Sequence, residues 1–276
     1  MIWHASLSLA YARESDRTVA RFQHSGPLRV LQSLYPEGPA ICHNVIVHPP
    51  GGLVGGDRLD LAFSVGDGAH GLVTTPGAAR FYRSDGLPAV QHCRLSLAAG
   101  SRLEWLPLES IAYSGCIAEN NLSLQLAPDS EMFGWDITAL GLPAARQPFV
   151  QGSFVQRIEL PGVWLERARI AACDSILLQS PLGLAGKACF ATLFFACGSK
   201  LTRARRQHAL DVARSVIGAN ALAASAGATS TSAQLVVVRV LASMVEPALG
   251  LLRQVRQAWR QELWALDGVP PRIWAT

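Results

Sequence analysis

Five carboxylates stand where an ionised group is either costly or held in a set place. Asp57 closes a run in which a strand-like apolar stretch from Cys42 meets His48-Pro49-Pro50 and then Gly51-Gly52-Leu53-Val54-Gly55-Gly56. Glu104 stands beside Trp105, Glu109 follows Pro107-Leu108, Asp136 lies between Trp135 and Ile137, and Glu166 lies within Val163-Trp164-Leu165-Glu166-Arg167. A carboxylate in an apolar element must be paired, coordinated or wetted. Oxygen ligands suit hard and borderline divalent cations, so carboxylates along a wet passage can hand a metal ion onward. Pairing with arginines such as Arg80, Arg83 or Arg146 would instead make them parts of the fold. A third reading is a small-molecule enzyme on an all-β body, with Asp57 and Asp136 as general acid and base.

Other chemistries fit less well. The glycine-rich run ends in Gly-Asp, whereas a phosphate loop ends in Gly-Lys-Ser/Thr. Its glycines also miss the Gly-x-Gly-x-x-Gly spacing of a dinucleotide fingerprint. Cys42 and His48 share one face of an extended strand while His43 points to the other, so a metal site from the three would need a bend. Two edge histidines and a core thiol are the simpler reading. Tyr113-Ser114-Gly115 lacks a nucleophile elbow. The six cysteines contain no C-x-x-C pair. Buried reduced thiols and a cytoplasmic location are expected. No basic tract with interleaved aromatics points to nucleic acid. No apolar run approaches the roughly 20 residues that cross a bilayer, so no membrane span is expected. The start, Met1-Ile2-Trp3-His4-Ala5, lacks the form of a secretory signal.

These residues need strands to position them. Leu122, Leu124 and Leu126 alternate with polar residues, as do Cys93, Leu95 and Leu97, and the run from Phe154 to Leu160. Turn signals such as Gly66-Asp67-Gly68, Ala99-Gly100-Ser101 and Pro161-Gly162 separate the runs, which predicts a mainly β body over residues 1–199. No fixed-length repeat marks a simple solenoid. Residues 201–217 read as an amphipathic helix, 219–232 as a mobile connection, 234–242 as a buried strand and 246–266 as a second helix. The second helix carries an apolar stripe of Leu249, Leu252, Val255, Trp259, Leu263 and Leu266. One domain spanning 1–276 is expected. Half of the 276 residues are hydrophobic and only 16% are charged, with a net charge of +4. That fits a large core, and equally a surface covered by partners.

Several ordered segments resemble the urease accessory protein UreD (UreH) family. They are the run from Cys42 to Asp57, Gly26-Pro27-Leu28-Arg29-Val30 with Tyr35-Pro36-Glu37-Gly38, and the stretch from Thr74 to Ser84 that contains Arg80-Phe81-Tyr82-Arg83. Leu103 to Glu109, Gly134-Trp135-Asp136-Ile137 with Leu140-Gly141-Leu142-Pro143, and the ending Pro270-Pro271-Arg272-Ile273-Trp274 complete the set.

The resemblance implies a β-helix-like stack of many short strands with two C-terminal helices. It implies a non-catalytic maturation factor that bridges urease apoprotein to UreF and UreG while nickel enters. The Ni²⁺ is transient cargo, and no tight metal site or bound cofactor is expected. Matching the family's motifs residue by residue carries Asp57, Ser84, Asp136 and Glu166 over as lining a nickel passage. Departures stand at Arg80, Leu108, Cys116 and residues 31–34. Trp259, Trp264, Arg272 and Trp274, on the second helix and the tail, are expected to form or support the UreF-facing side.

Overall fold

The computed structural model describes residues 3–275; Met1, Ile2 and Thr276, part of the expected domain and tail, lie outside them. The chain opens with the antiparallel hairpin β1 (His4–Glu14) and β2 (Arg17–Ser25), then a short β3 (Arg29–Val30). There follow β4 (Ile41–Val47), β5 (Arg58–Val65), β6 (His70–Thr74), β7 (Ala79–Phe81), β8 (Ala89–Leu97) and β9 (Arg102–Leu106). Then come β10 (Ser110–Ala112), β11 (Ile117–Leu126), β12 (Glu131–Leu140), β13 (Ser153–Leu160) and β14 (Trp164–Ala171). A five-residue helix α1 (Ser175–Gln179) precedes β15 (Cys189–Cys197). The chain ends with α2 (Arg203–Gly218), β16 (Ala226–Ser232), β17 (Leu235–Ala242) and α3 (Val245–Trp264).

From β4 to β13 the longer strands alternate between two sheets. The first has the order β14-β13-β11-β8-β5-β1-β2, and the second β16-β17-β15-β12-β9-β6-β4-β3. Strands β1, β5, β8, β11 and β13 pair in parallel, as do β4, β6, β9 and β12. A short third side runs through Leu53, β7, β10 and the end of β12. The result is the stacked-coil arrangement of a β-solenoid, closed at its flanks by antiparallel strands. Each coil places a residue of one loop beside the equivalent loop of the next, which is how distant segments come to share a site.

The sheets differ in what covers them. The first alternates buried positions with exposed or half-buried ones, as along β5 and β13, because its outer face meets solvent. The second is buried on both faces, and β6 and β12 are interior almost throughout. Between the sheets pack Leu7, Phe63, Phe81, Leu95, Leu124 and Phe154. The far face of the second sheet packs on α2 and α3 through Phe133, Trp135, Phe195, Leu252 and Trp259. Thr202 caps α2, its hydroxyl accepting from the Arg205 N–H at 3.2 Å.

Several expectations need correction. Residues 219–232 are not a mobile connection, since they contain β16, which pairs with β17. His43 is not an edge residue: β4 lies between β3 and β6, and the imidazole is buried against Glu37 at 2.8 Å. The α3 face turned inward includes Arg256 and Arg260 as well as the apolar stripe. Of the six cysteines, Cys173 is exposed; all six are free thiols.

Candidate functional site

The glycine-rich segment crosses between the sheets, leaving β4 in the second and entering β5 in the first. It lies against β7 and Tyr82, which follows that strand. Leu53 donates to the Arg80 carbonyl at 2.7 Å and accepts from Tyr82 N–H at 2.8 Å. A side chain at Gly52 would run into the Tyr82 ring, and one at Gly55 into Ser84 Oγ and the Leu87 carbonyl. The glycines are therefore set by close approach. Asp57 finishes the turn. Its carboxylate accepts from Val54 N–H at 3.0 Å and Trp3 N–H at 3.2 Å. The Ser84 hydroxyl donates to the Leu87 carbonyl. Asp57 and Ser84 thus belong to two neighbouring turns, joined by Gly56 N–H to the Pro88 carbonyl at 3.0 Å.

Beside this segment a cavity of about 260 Å³ opens between the sheets. Its rim carries His48, Gly51, Gly52 and the exposed Arg80, its walls are mostly apolar, and Asp136 lies in its lining. Neither Asp57 nor Ser84 lines it. Asp57 and Asp136 therefore do not meet in one pocket, which removes the geometry of an acid–base pair.

Asp136 is buried and has no arginine. Three neutral donors hold it: Asn120 Nδ2 at 2.8 Å, the Thr138 hydroxyl at 3.2 Å and Gln156 Nε2. Burial pushes its pKa up to about 6; the nearby Glu166 charge adds to the rise and the three donors oppose it. Glu166 accepts from the Thr192 hydroxyl at 2.9 Å and from Arg239 Nε at 3.1 Å. Thr192 stands opposite both Asp136 and Arg239 across β12, β15 and β17. The structure thus brings Asp136 and Glu166 together and leaves Asp57 and Ser84 at the turns near the cavity rim. The partner of Glu166 is Arg239, not Arg80, Arg83 or Arg146.

Glu104 has a different setting. Arg256 Nε approaches it at 2.7 Å and Arg260 Nη1 at 2.6 Å. Arg260 also binds Glu37, which accepts from His43. This network ties β9, β4 and the loop before it to α3. The arginines hold the Glu104 carboxyl well below the usual carboxylate range despite its burial. Sequence reasoning missed it, because Arg256 and Arg260 look like ordinary polar positions of an amphipathic helix. Their spacing of four on the side adjoining Trp259 was the only local signal.

The expected partner-side residues divide by exposure. Trp259 and Trp264 are interior. Trp259 Nε1 donates to the Ala209 carbonyl at 2.9 Å, and Trp264 Nε1 to Glu131 at 2.7 Å. They present no surface and act as supports for the helical layer. Trp274 stacks on Trp135 with centroids 5.4 Å apart, and Arg272 is exposed. Among the described residues no group of three or more His, Cys, Asp and Glu is placed to hold a metal ion.

A sequence model described as UreD urease accessory protein matches residues 4–275. The chain belongs to the UreD family. It is 68% identical over 275 residues to the urease accessory protein UreD of Polaromonas naphthalenivorans (strain CJ2), covering the whole of both chains. It is 66% identical to the one from Polaromonas sp. (strain JS666 / ATCC BAA-500) and 63% to that of Variovorax paradoxus (strain S110), again over full lengths. UreD family membership gives the chain an accessory role in urease maturation, and the family is not named as an enzyme. No described helix is long and apolar enough to cross a membrane.

Proposed function

We propose that this protein is a non-catalytic bridge in the cytoplasm between urease apoprotein and the companions UreF and UreG, and that nickel crosses it between the two sheets. The observation that carries this reading is Asp136. A carboxylate in a sandwich core is costly, and the fold leaves it without a cation while placing it in the lining of an open cavity. Beyond it Glu166 reaches the other flank, where its partner Arg239 is half exposed at 48%. A dipositive cargo gains from carboxylates along such a path, and two carboxylates already engaged by other donors hold it weakly enough to let it leave. Asp57 and Ser84 set the shape of the entrance by fixing the turns behind the rim.

The test is urease activity and nickel content in cells making Asp136→Ala, Glu166→Ala or both, with complex assembly followed in parallel. Activity should fall at least about tenfold with the complex intact. Asp129→Asn, at an exposed turn, is the control and should change nothing. Full activation by the double variant would refute the passage. Loss of activation together with loss of the complex would assign these carboxylates to the fold.

A further inference from the structure

Across β8, β11 and β13 the inner face of the first sheet carries one polar row among apolar ones. Gln91, Asn120 and Gln156 stand opposite one another across β8, β11 and β13. The row on one side is Ala89, Ala118 and Phe154, and on the other Cys93, Leu122 and Ile158. Facing it, the second sheet carries Asp136, Thr192 and Arg239 in register across β12, β15 and β17. There too the flanking rows, Gly134-Phe194-Val237 and Thr138-Phe190-Leu241, carry no charge. The two polar rows meet. Gln91 Nε2 donates to Asn120 Oδ1 at 3.0 Å, and Asn120 Nδ2 to Asp136 at 2.8 Å. Gln156 binds the other oxygen of Asp136, and Glu166 joins Thr192 to Arg239. Gln91 and Asn120 line the cavity, whereas Gln156 and Glu166 lie beyond Asp136.

We propose that the amides of Gln91, Asn120 and Gln156 are working parts of the route, carrying a partly hydrated divalent cation past Asp136 by turning their carbonyl oxygens toward it. This rests on the passage proposed above and names the groups that line it. A carboxamide is suited to the task because it donates and accepts from one rigid plane. Its last torsion is broad, so exchanging the two ends costs little torsional energy, and the arriving cation replaces the hydrogen bonds given up. With its N–H toward Asp136 the amide steadies the carboxylate. With its oxygen inward it replaces water around a borderline cation. Neutral oxygens bind more weakly than a second carboxylate, so the ion is passed on and not trapped. The charged groups facing the row are Asp136, Glu166 and Arg239, with Arg80 and His48 at the rim.

The experiment uses the assembled accessory complex with apo-urease and nickel as the only probe. Asn120→Leu and Gln156→Met should assemble in normal yield and slow activation about tenfold at limiting nickel. Asn120→Asp keeps the size and shape of the side chain and places a second carboxylate at the station. It should leave about tenfold more nickel on the desalted complex and also slow activation. Full-rate activation by both apolar variants, or no extra nickel on the Asn120→Asp complex, overturns the role of the row. If Asp136→Ala still impairs activation in that case, the passage itself stands. Full-rate activation by Asp136→Ala removes the passage and this inference together. Failure of both apolar variants to assemble, with Asn120→Asp retaining no extra nickel, assigns the row to the fold.

Discussion

Asp136 and Glu104 are both buried carboxylates, and their surroundings push them in opposite directions. Neutral amides and a hydroxyl surround Asp136, so burial dominates and its pKa rises to about 6. Two guanidinium groups flank Glu104, so it remains ionised far into acid. One carboxylate is costly to the fold and the other holds it together. Glu104→Gln would leave Arg256 and Arg260 buried with less compensation, and should lower stability by about 3–5 kcal/mol in urea unfolding. The network also sets a pH dependence. Glu104 has a depressed pKa in the folded state, so its contribution is present above the unfolded value of about 4.3 and is lost as pH falls through the folded one. His70 is 3.6 Å from Glu104 and its pKa is lowered, chiefly by burial. It favours the folded state above its unfolded value of about 6.5 and loses that contribution as pH falls. On acidification Glu104 and His70 each withdraw stability, while Asp136, with its raised pKa, favours the folded state increasingly below about pH 6 and offsets part of the loss; His70→Gln should flatten the upper limb of the decline in urea midpoints taken from about pH 8 to about pH 4. An unchanged upper limb in that variant would exclude His70 as its source. At this scale the sequence showed that Asp136 was interior, from Trp135 and Ile137 on either side. Its amide partners were not legible, because Asn120 and Gln156 come near only once the coils are stacked.

At the scale of elements, period-two alternation revealed the strands of the first sheet, where one face is wet. The second sheet is covered on both faces, so β12 and β15 read as apolar runs with no phase, and their pairing was hidden. Strand β16 was missed because Ala-Gly-Ala-Thr-Ser-Thr-Ser has no bulky apolar side chain; only Ala228 is buried in it. It forms from pairing with β17 and from α2, whose Arg214 donates to the Ala228 carbonyl at 3.2 Å. Helix α3 was legible as a helix, but its inward face was misjudged, since an apolar template passes over two buried arginines. Its anchor is Trp259, packed near Phe133 and Phe195 and bonded to α2 through the Ala209 carbonyl. Trp259→Ala should cost about 3–5 kcal/mol. Hydrogen exchange should locate the loss, with α2 and α3 amides exchanging faster while β5, β8 and β11 stay protected. Uniform loss across the coils would mean that the helical layer is not a separate unit of stability.

At the scale of the molecule, the stacking of coils turns segments far apart in sequence into one line through the sandwich, and the C-terminal tail fastens the covering helix to it. Trp274 stacks on Trp135, donates to Thr74 Oγ1 at 2.9 Å and lies under Arg253, 4.4 Å from the ring centroid. The Val269 carbonyl accepts from Arg256 at 3.0 Å. Removing residues 267–276 would therefore strip contacts from the body as well as any surface offered to UreF, and a weakened complex would have two explanations. Single changes separate them. Trp274→Ala should lower Tm by several degrees, in line with a loss of about 2–4 kcal/mol for a half-buried indole. Arg272 is exposed and its charge contributes little to an isolated fold, so Arg272→Glu should leave stability within about 0.5 kcal/mol. A charge reversal at the rim of an interface acts on association, and this variant should weaken capture of UreF in a pull-down at low salt while its Tm is unchanged. Capture equal to that of the unchanged protein would take the tail out of the interface and leave it as a strap between α3 and the second sheet.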